Sequence, residues 1–349
     1  MPPSSRVFYN LIYAVLVLAL ALIVFILFLR TSQIGVNGKA TFEKVLTGTA
    51  YRPYIYRQLL PIAASALSPY VDGMWALRLG RQSERVLGDR FFRGQLNGRL
   101  YPRQVVLILA MMYLSLAAFP ATMWFLAREL GYGWKARYLM PVAALLTTTV
   151  FFGYGYMYDF TVLFLFTLGL WLMYRRAWIA YLLVFALGTL NKETTLFLVL
   201  IFALYYWHRL PRRRLWSLTA AQLGIFALIQ GALRYRFRNN PGATVEWHLP
   251  DQIATYQGIF MHAPWWMAAS LVGLALIALA VIRSWKQKPE FLRVALTPLP
   301  FFVVLMLLWG YPLEGRAAME MLPVLALLML PPPSGVVSRG IAAREMMTD

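Results

Sequence analysis

Long apolar runs separated by short arginine-rich segments constrain this chain more than any other feature of its sequence. Residues 7–29 and 104–127 contain no charged side chain, and each run is long enough to cross a hydrocarbon core of about 30 Å as a helix. Only 13% of the 349 residues are charged and the mean hydropathy is +0.59, whereas about a quarter of a soluble domain is charged. The sequence therefore predicts an all-α polytopic membrane protein.

The apolar pattern predicts about ten transmembrane helices in one membrane domain, residues 1–331, followed by a cytoplasmic tail, 332–349. The first run is too long for a signal-peptide core and lacks a small-residue cleavage site before Arg30, so we expect it to remain as a helix. The predicted helices are 7–29, 104–127, 137–153, 160–174, 177–190, 194–208, 216–233, 265–282, 293–309 and 317–331.

The basic residues of the short loops predict the orientation. With ten helices, the clusters in 128–137, 175–176, 209–214 and 283–293 all lie on the side of the N-terminus. The positive-inside rule assigns that side to the cytoplasm, so both termini are cytoplasmic in this multi-pass protein of the cell inner (cytoplasmic) membrane. The remaining turns and two long loops are then extracytoplasmic, and we expect the functional site there.

The two long extracytoplasmic loops are 30–103 and 234–264. In the first, residues 58–67 form an apolar pattern with Pro61 near the beginning, where a helix tolerates proline. Large apolar residues alternate with arginines at helical spacing in residues 72–95, which is typical of an amphipathic helix lying in the membrane interface. We expect residues 72–95 to be an interfacial anchor.

The composition also excludes several classes of site. The basic residues behind the net charge of +19 lie in the segments between apolar runs, which predicts contact with anionic lipid headgroups and not with nucleic acid. The chain has no cysteine and three histidines without paired spacing, so we expect no zinc site and no cofactor, while a divalent metal is possible but not indicated. Nucleotide-binding and hydrolase motifs are also missing from the sequence.

The turn Asn191-Lys192-Glu193 is the most unusual polar segment. It separates two uncharged runs of only about 14 residues each, which as helices span about 20 Å. Charged groups at such a depth predict a functional site. Lys192 can pair with Glu193 or bind a phosphate, and Asn191 can bind substrate. The alternative is an ordinary helix hairpin with a solvated ion pair.

A second candidate is the turn that ends in Asp159. A carboxylate beside apolar Phe160 can act as a general base or bind sugar hydroxyls. Tyr154, Tyr156 and Tyr158 precede it and can stack on sugar rings or donate hydrogen bonds to them. The alternative is an aromatic belt at the membrane interface.

Arginines complete the set of candidates. The guanidinium groups of Arg52 and Arg57 match phosphate oxygens in a bidentate manner, although a lipid headgroup would fit as well. Arg316 is a third phosphate-binding candidate.

Glu314 offers a substrate-binding carboxylate beside Arg316. Glu320 lies inside an apolar span and about one helical turn beyond Arg316, so we expect these two residues to pair. Glu314 and Arg316 could equally form a structural ion pair. Glu246, His248 and Asp251 could form a lid over the site.

The layout resembles that of GT-C glycosyltransferases, which are polytopic enzymes that use polyprenyl-phosphate sugars. Residues 51–61, 158–160 and 191–194 are also similar to segments of bacterial membrane proteins of that broad kind that have no settled function. The family usually has a catalytic Asp or Glu early in its first loop, where the first acidic residue of this chain is Glu43. The resemblance therefore leaves Glu43, Asp159 and Glu193 as candidate catalytic residues.

The resemblance implies an integral membrane glycosyltransferase that transfers a sugar from a polyprenyl phosphate to an envelope glycan, lipid or protein. Asp159 is its preferred base, and the arginines or Lys192 stabilise the departing phosphate. Membrane lipids, a lipid-linked sugar and envelope-biosynthesis proteins are the partners that it implies. The alternatives are a transporter or flippase for lipid-linked saccharides and a non-catalytic assembly subunit.

Overall fold

The chain forms a bundle of helices, and a computed structural model describes residues 3–32, 34, 38–87 and 101–333. No β-strand occurs among these residues. In chain order the α-helices are α1 (Pro3–Thr31), α2 (Phe42–Leu46), α3 (Leu59–Leu67), α4 (Gly73–Leu87), α5 (Pro102–Glu129), α6 (Trp134–Thr147), α7 (Asp159–Tyr174), α8 (Trp178–Asn191), α9 (Phe197–Tyr206), α10 (Arg212–Arg236), α11 (Leu249–His262), α12 (Pro264–Ile282), α13 (Glu290–Ala295), α14 (Leu299–Trp309) and α15 (Leu322–Met329).

The described residues confirm the predicted all-α class, and five helical segments among them are long and apolar enough to cross a membrane. They are Asn10–Thr31, Pro102–Glu129, Arg212–Arg236, Pro264–Ile282 and Glu290–Trp309. Five further apolar segments are shorter: Leu59–Tyr70, Asp159–Tyr174, Trp178–Asn191, Glu193–Tyr206 and Ala318–Met329. The number of ten spans and their orientation stay predictions.

Several predicted helices differ in form from those observed, and two of them contain a 3₁₀-helix of seven residues. The helix predicted over 137–153 leaves the α-helical form after Thr147 and continues as a 3₁₀-helix, Thr148–Tyr154. The hydroxyl of Thr148 donates to the carbonyl of Leu145 at 2.6 Å, a local bond of the kind that competes with helix hydrogen bonds. The helix predicted over 317–331 begins as a 3₁₀-helix, Gly315–Met321, and becomes α-helical only at α15.

The first long loop contains the two predicted helices. The predicted helix over 58–67 is α3, which packs against α5 and α8 and is therefore part of the bundle. The predicted helix over 72–95 corresponds to α4, which packs against α5 and α1. The remainder of that prediction, residues 88–95, lies outside the described residues.

Backbone hydrogen bonds hold the first loop against two other segments. The Gln58 amide donates to the carbonyl of Leu190 at 2.9 Å, and the Arg52 amide donates to that of Pro241 at 2.9 Å. Gly242 follows with φ of +91°, and a Cβ there would lie 2.8 Å from the Arg52 carbonyl oxygen, so only glycine fits. The loop, the end of α8 and the segment after α10 thus converge in one region.

Candidate functional site

A cavity of about 370 Å³ lies where these segments meet the turns before α9 and after α14. Its wall contains charged, aromatic and apolar side chains from distant parts of the chain. The lining residues are Pro53, Tyr54, Arg57, Lys192, Glu193, Thr194, Thr244, Val245, Glu246, His248, Phe302, Leu305, Trp309, Gly310, Tyr311, Glu314 and Arg316. Four predicted site segments therefore share one cavity: the first loop, the 191–194 turn, the 234–264 loop and the 310–316 turn.

Two guanidinium groups converge on the hydroxyl of Tyr158. Nη1 of Arg57 donates to this oxygen, and Nη1 of Arg316 donates to it from 3.3 Å. Arg57 also lies 4.3 Å from the centroid of the Tyr158 ring, and Arg316 lies 4.2 Å from that of Tyr156. Stacking on aromatic faces fixes the guanidinium planes.

Arg316 is held by two buried carboxylates. Its Nη1 lies 3.0 Å from Oδ1 of Asp159, and its Nη2 donates to Oε1 of Glu314. The other oxygen of Asp159 accepts the Tyr156 amide at 2.7 Å at the N-terminus of α7, where a carboxylate is favourable. Because both of its oxygens are engaged and its side chain is 4% exposed, Asp159 does not line the cavity.

Lys192 pairs with Glu320 and not with Glu193. Nζ of Lys192 lies 2.7 Å from Oε1 of Glu320, which also accepts the Thr194 hydroxyl at 2.6 Å. The side chain of Glu320 is fully buried and that of Lys192 is 8% exposed. The expected pair Arg316–Glu320 is therefore wrong, and Lys192 does not form the pair with Glu193 that was one of its two possible roles.

Glu193 is the most accessible carboxylate on the cavity wall. Its Oε1 lies 3.2 Å from Nη2 of Arg57, and 38% of its side chain is exposed. Within the described part of the chain, its Oε2 accepts no side-chain hydrogen bond. Glu193 is thus the lining carboxylate with an oxygen available to a ligand.

Tyr156 and Tyr158, which were predicted to bind sugar, do not line the cavity and instead pack against residues that do. Tyr156 stacks between Tyr54 and Tyr158, with ring centroids 5.3 and 5.6 Å away, and all three are buried. The side chain of Tyr154 lies outside the described part of the chain. Asn191 is also buried, and its amide donates to the carbonyl of Tyr158 at 3.1 Å.

Two candidates lie away from this cavity. Glu43 is on α2 and Arg52 precedes the tyrosine-rich 3₁₀-turn Tyr54–Tyr56, and neither residue lines the wall. The backbone of Arg52 instead holds the segment that follows α10. The role of Glu43 as base and that of Arg52 as phosphate ligand stay predictions, and neither side chain is placed at the cavity to perform them.

The sequence did not predict the part that α14 has in the cavity wall. Phe302, Leu305 and Trp309 of α14 line the cavity at spacings of three and four residues, so one apolar stripe faces it. Only the expected lid residues, Glu246 and His248, indicated that the 234–264 loop takes part. Tyr311 joins them, since its hydroxyl donates to Oε2 of Glu246 at 2.9 Å.

Charges on the cavity wall are balanced. Among its described lining residues, the cations Arg57, Lys192 and Arg316 face an equal number of carboxylates, those of Glu193, Glu246 and Glu314. An anionic ligand must therefore displace or share an existing carboxylate contact. No group of three or more potential metal-ligating side chains occurs within residues 3–32, 34, 38–87 and 101–333.

The surroundings of Glu246 lower the pKa of its carboxylate. Burial alone would raise its pKa, but hydrogen bonds from Lys39 (2.8 Å) and Tyr311 outweigh that effect and hold the pKa below its usual value. Burial raises the pKa of Tyr311 to about 12, so this hydroxyl remains a donor at neutral pH.

Glu246 is therefore expected to stabilise the protein above the pKa of the unfolded chain, about 4.3. Relative to Glu246→Gln, this stabilisation is retained at pH 7 and is lost as the pH falls through the lower pKa of the folded state. Thermal unfolding in detergent at a series of pH values from 7 down to 3 measures the difference. A gap between the two proteins that is as large at pH 3 as at pH 7 would contradict the assignment, and Glu43→Gln is the control.

Comparison with known proteins identifies no relative: no family model matches the chain, and neither a curated protein nor a solved structure does. The similarity to GT-C glycosyltransferases is thus a hypothesis based on the layout of the chain and three short segments. The geometry of the cavity is the basis for a proposed function.

Proposed function

We propose that this protein is a membrane glycosyltransferase that transfers a sugar from a polyprenyl-phosphate donor to an envelope acceptor on the extracytoplasmic side. The observation that carries the proposal is the ion pair of Glu193 and Arg57 in the wall of a cavity that the apolar stripe of α14 also lines. A lipid-linked sugar phosphate has matching parts: a hydrocarbon chain, an anionic phosphate and a polyhydroxylated ring.

Glu193 is the proposed general base. Its carboxylate accepts the proton of the acceptor hydroxyl, whose oxygen forms a bond to the anomeric carbon. The bond between that carbon and the phosphate oxygen breaks, and its electron pair remains on the phosphate. Arg57 stabilises this charge after exchanging its contact with Glu193 for a phosphate oxygen, which frees the carboxylate at the same time.

The buried groups have a supporting role in this proposal. Asp159 and Glu314 hold Arg316, and Arg316 and Arg57 share the hydroxyl of Tyr158. A guanidinium fixed on several sides needs little reorganisation when charge develops on a phosphate. Asp159 is thus better placed to position Arg316 than to accept a proton from a substrate.

Arg57→Lys is expected to weaken donor binding about 10- to 100-fold. A guanidinium contacts Tyr158 and Glu193 simultaneously, whereas one ammonium cannot reproduce that geometry, and a lost charge-assisted hydrogen bond costs about 1.5–3 kcal/mol. Binding of a radiolabelled polyprenyl-phosphate sugar to purified protein measures the effect. Arg52→Lys, outside the cavity, is the matched control, and equal loss in both variants would remove Arg57 from the site.

The proposal can be tested by assaying sugar transfer. Purified wild-type protein is incubated with a panel of polyprenyl-phosphate sugars and acceptors. Transfer of sugar with release of the lipid phosphate is the expected result. Binding without turnover under all acceptor conditions would instead favour a transporter, a flippase or an assembly subunit for lipid-linked saccharides. Absence of binding would reject a lipid-linked sugar as the ligand.

A further inference from the structure

The cavity is too small to hold a complete lipid-linked sugar. Its volume is about 370 Å³, whereas pockets for small ligands measure about 300–1,000 Å³. A sugar and a phosphate fit a space of this size, but a polyprenyl chain of many isoprene units does not fit beside them. On the proposed function, from which this step proceeds, the hydrocarbon chain of the ligand must therefore leave the cavity.

The apolar stripe of α14 indicates where the chain leaves. Phe302, the first residue of the stripe, is fully buried, whereas Trp309, about two helical turns further along, is 38% exposed. Residues 299–309 include no charged side chain, so the stripe offers a hydrocarbon chain a continuous apolar path. The chain is thus expected to pass Trp309 as it leaves.

A second tryptophan extends this path beyond the lining of the cavity. The ring centroid of Trp247 lies 6.3 Å from that of Trp309 in an edge-to-face arrangement, and Trp247 is 55% exposed. Val245, two residues before it, lines the cavity and is 54% exposed. We call Val245, Trp247 and Trp309 the apolar rim.

Hydrogen bonds hold the two segments of the apolar rim together. The amide of His248 donates to the carbonyl of Leu308 at 3.0 Å. The side-chain amide of Gln252 donates to the carbonyls of Met306 and Gly310, both at 3.0 Å. These bonds fix the segment before α11 against the end of α14, and a surface that is already ordered loses little freedom when a ligand binds.

We propose that the apolar rim is a binding subsite for the hydrocarbon chain of the lipid whose phosphate and sugar occupy the cavity. Exposed tryptophans also occur in the aromatic belts that contact bulk lipid. The rim differs from such a belt because Val245 and Trp309 line the cavity as well, so a ligand in the cavity continues directly onto it. Binding of the chain there adds affinity through the apolar area that it buries.

Two isoprenyl phosphates that share a head group test the subsite, geranyl phosphate with a short chain and undecaprenyl phosphate with a long one. Wild-type protein is expected to bind the long-chain phosphate about 10-fold more tightly. Trp247→Ser should weaken binding of undecaprenyl phosphate about 3- to 10-fold and leave that of geranyl phosphate unchanged. Scintillation proximity with radiolabelled phosphates and immobilised protein measures both, and one detergent throughout cancels the partitioning of each lipid into micelles.

Variants elsewhere separate the chain from the head group and the rim from other lipid contacts. Arg57→Lys should weaken the binding of both phosphates by the same factor, because it acts on the phosphate group. Trp265, at the beginning of α12, is 70% exposed and is not among the described residues that line the cavity. Trp265→Ser is therefore the matched control, and it should change neither affinity.

The result for wild-type protein distinguishes failure of the subsite from failure of the proposed function. If wild-type protein binds both phosphates but Trp247→Ser weakens neither, or weakens both equally, the subsite is wrong and the proposed function stands. The same holds if Trp265→Ser reproduces the effect of Trp247→Ser, because the rim is then an ordinary contact with bulk lipid. If wild-type protein binds neither phosphate, the proposed phosphate site is wrong and the subsite with it.

Discussion

Replacing Glu193 with glutamine is expected to lower the rate of sugar transfer about 10²- to 10⁴-fold, the usual contribution of a general base. Glutamine keeps the size of the side chain and an oxygen that accepts from Arg57, but it cannot accept a proton. Donor binding should therefore persist while turnover is lost. Transfer and binding of the same radiolabelled donor, measured in parallel, separate the two effects.

Two other carboxylates serve as comparisons for Glu193. Asp159→Asn should lower donor binding and thermal stability together, because the buried guanidinium of Arg316 loses one of its two anionic partners. Glu43→Gln, away from the cavity, should change neither. Full turnover in Glu193→Gln together with lost turnover and intact binding in Asp159→Asn would transfer the role of base to Asp159.

Lys192→Met is expected to lower the free energy of unfolding by about 3–5 kcal/mol, because it leaves the fully buried Glu320 without its cation. The Thr194 hydroxyl alone cannot compensate a buried charge. Thermal unfolding of the purified protein in detergent would show the loss as a lower melting temperature.

The double variant Lys192→Met, Glu320→Met is the control for this second prediction. Removing both charges leaves no unpaired ion, and a buried pair replaced by apolar residues often costs nothing. The double variant should therefore be more stable than either single variant. If both single variants unfold at the wild-type temperature, the pair does not contribute to stability, and Lys192 would be free to bind a ligand.

The sequence was sufficient to predict an all-α chain with long apolar helices and to mark polar segments that share one cavity. Apolar runs such as 104–127 are long, and burial or lipid contact is the only favourable environment for them. Polar turns between such runs were predicted to lie on one face, and four of these segments do share one cavity. No feature of the sequence marked the apolar stripe of α14 as part of a site, because its residues resemble those of any membrane helix.

Ion pairing was decided by the tertiary structure. Lys192 and Glu193 are adjacent in sequence, but Lys192 is extended, with φ of −161° and ψ of 139°, and extended backbone directs successive side chains to opposite sides. Arg316 and Glu320 would share a face of an α-helix, but they lie in a 3₁₀-helix, which has about three residues per turn.

The partners of these residues are therefore distant in sequence: Lys192 with Glu320, Arg57 with Glu193, and Arg316 with Asp159. The sequence by itself determined that charged side chains between apolar runs need partners, since a buried unpaired charge is costly. Which partners they have depends on the local backbone and on helix packing, because only the folded chain brings these residues within hydrogen-bonding distance.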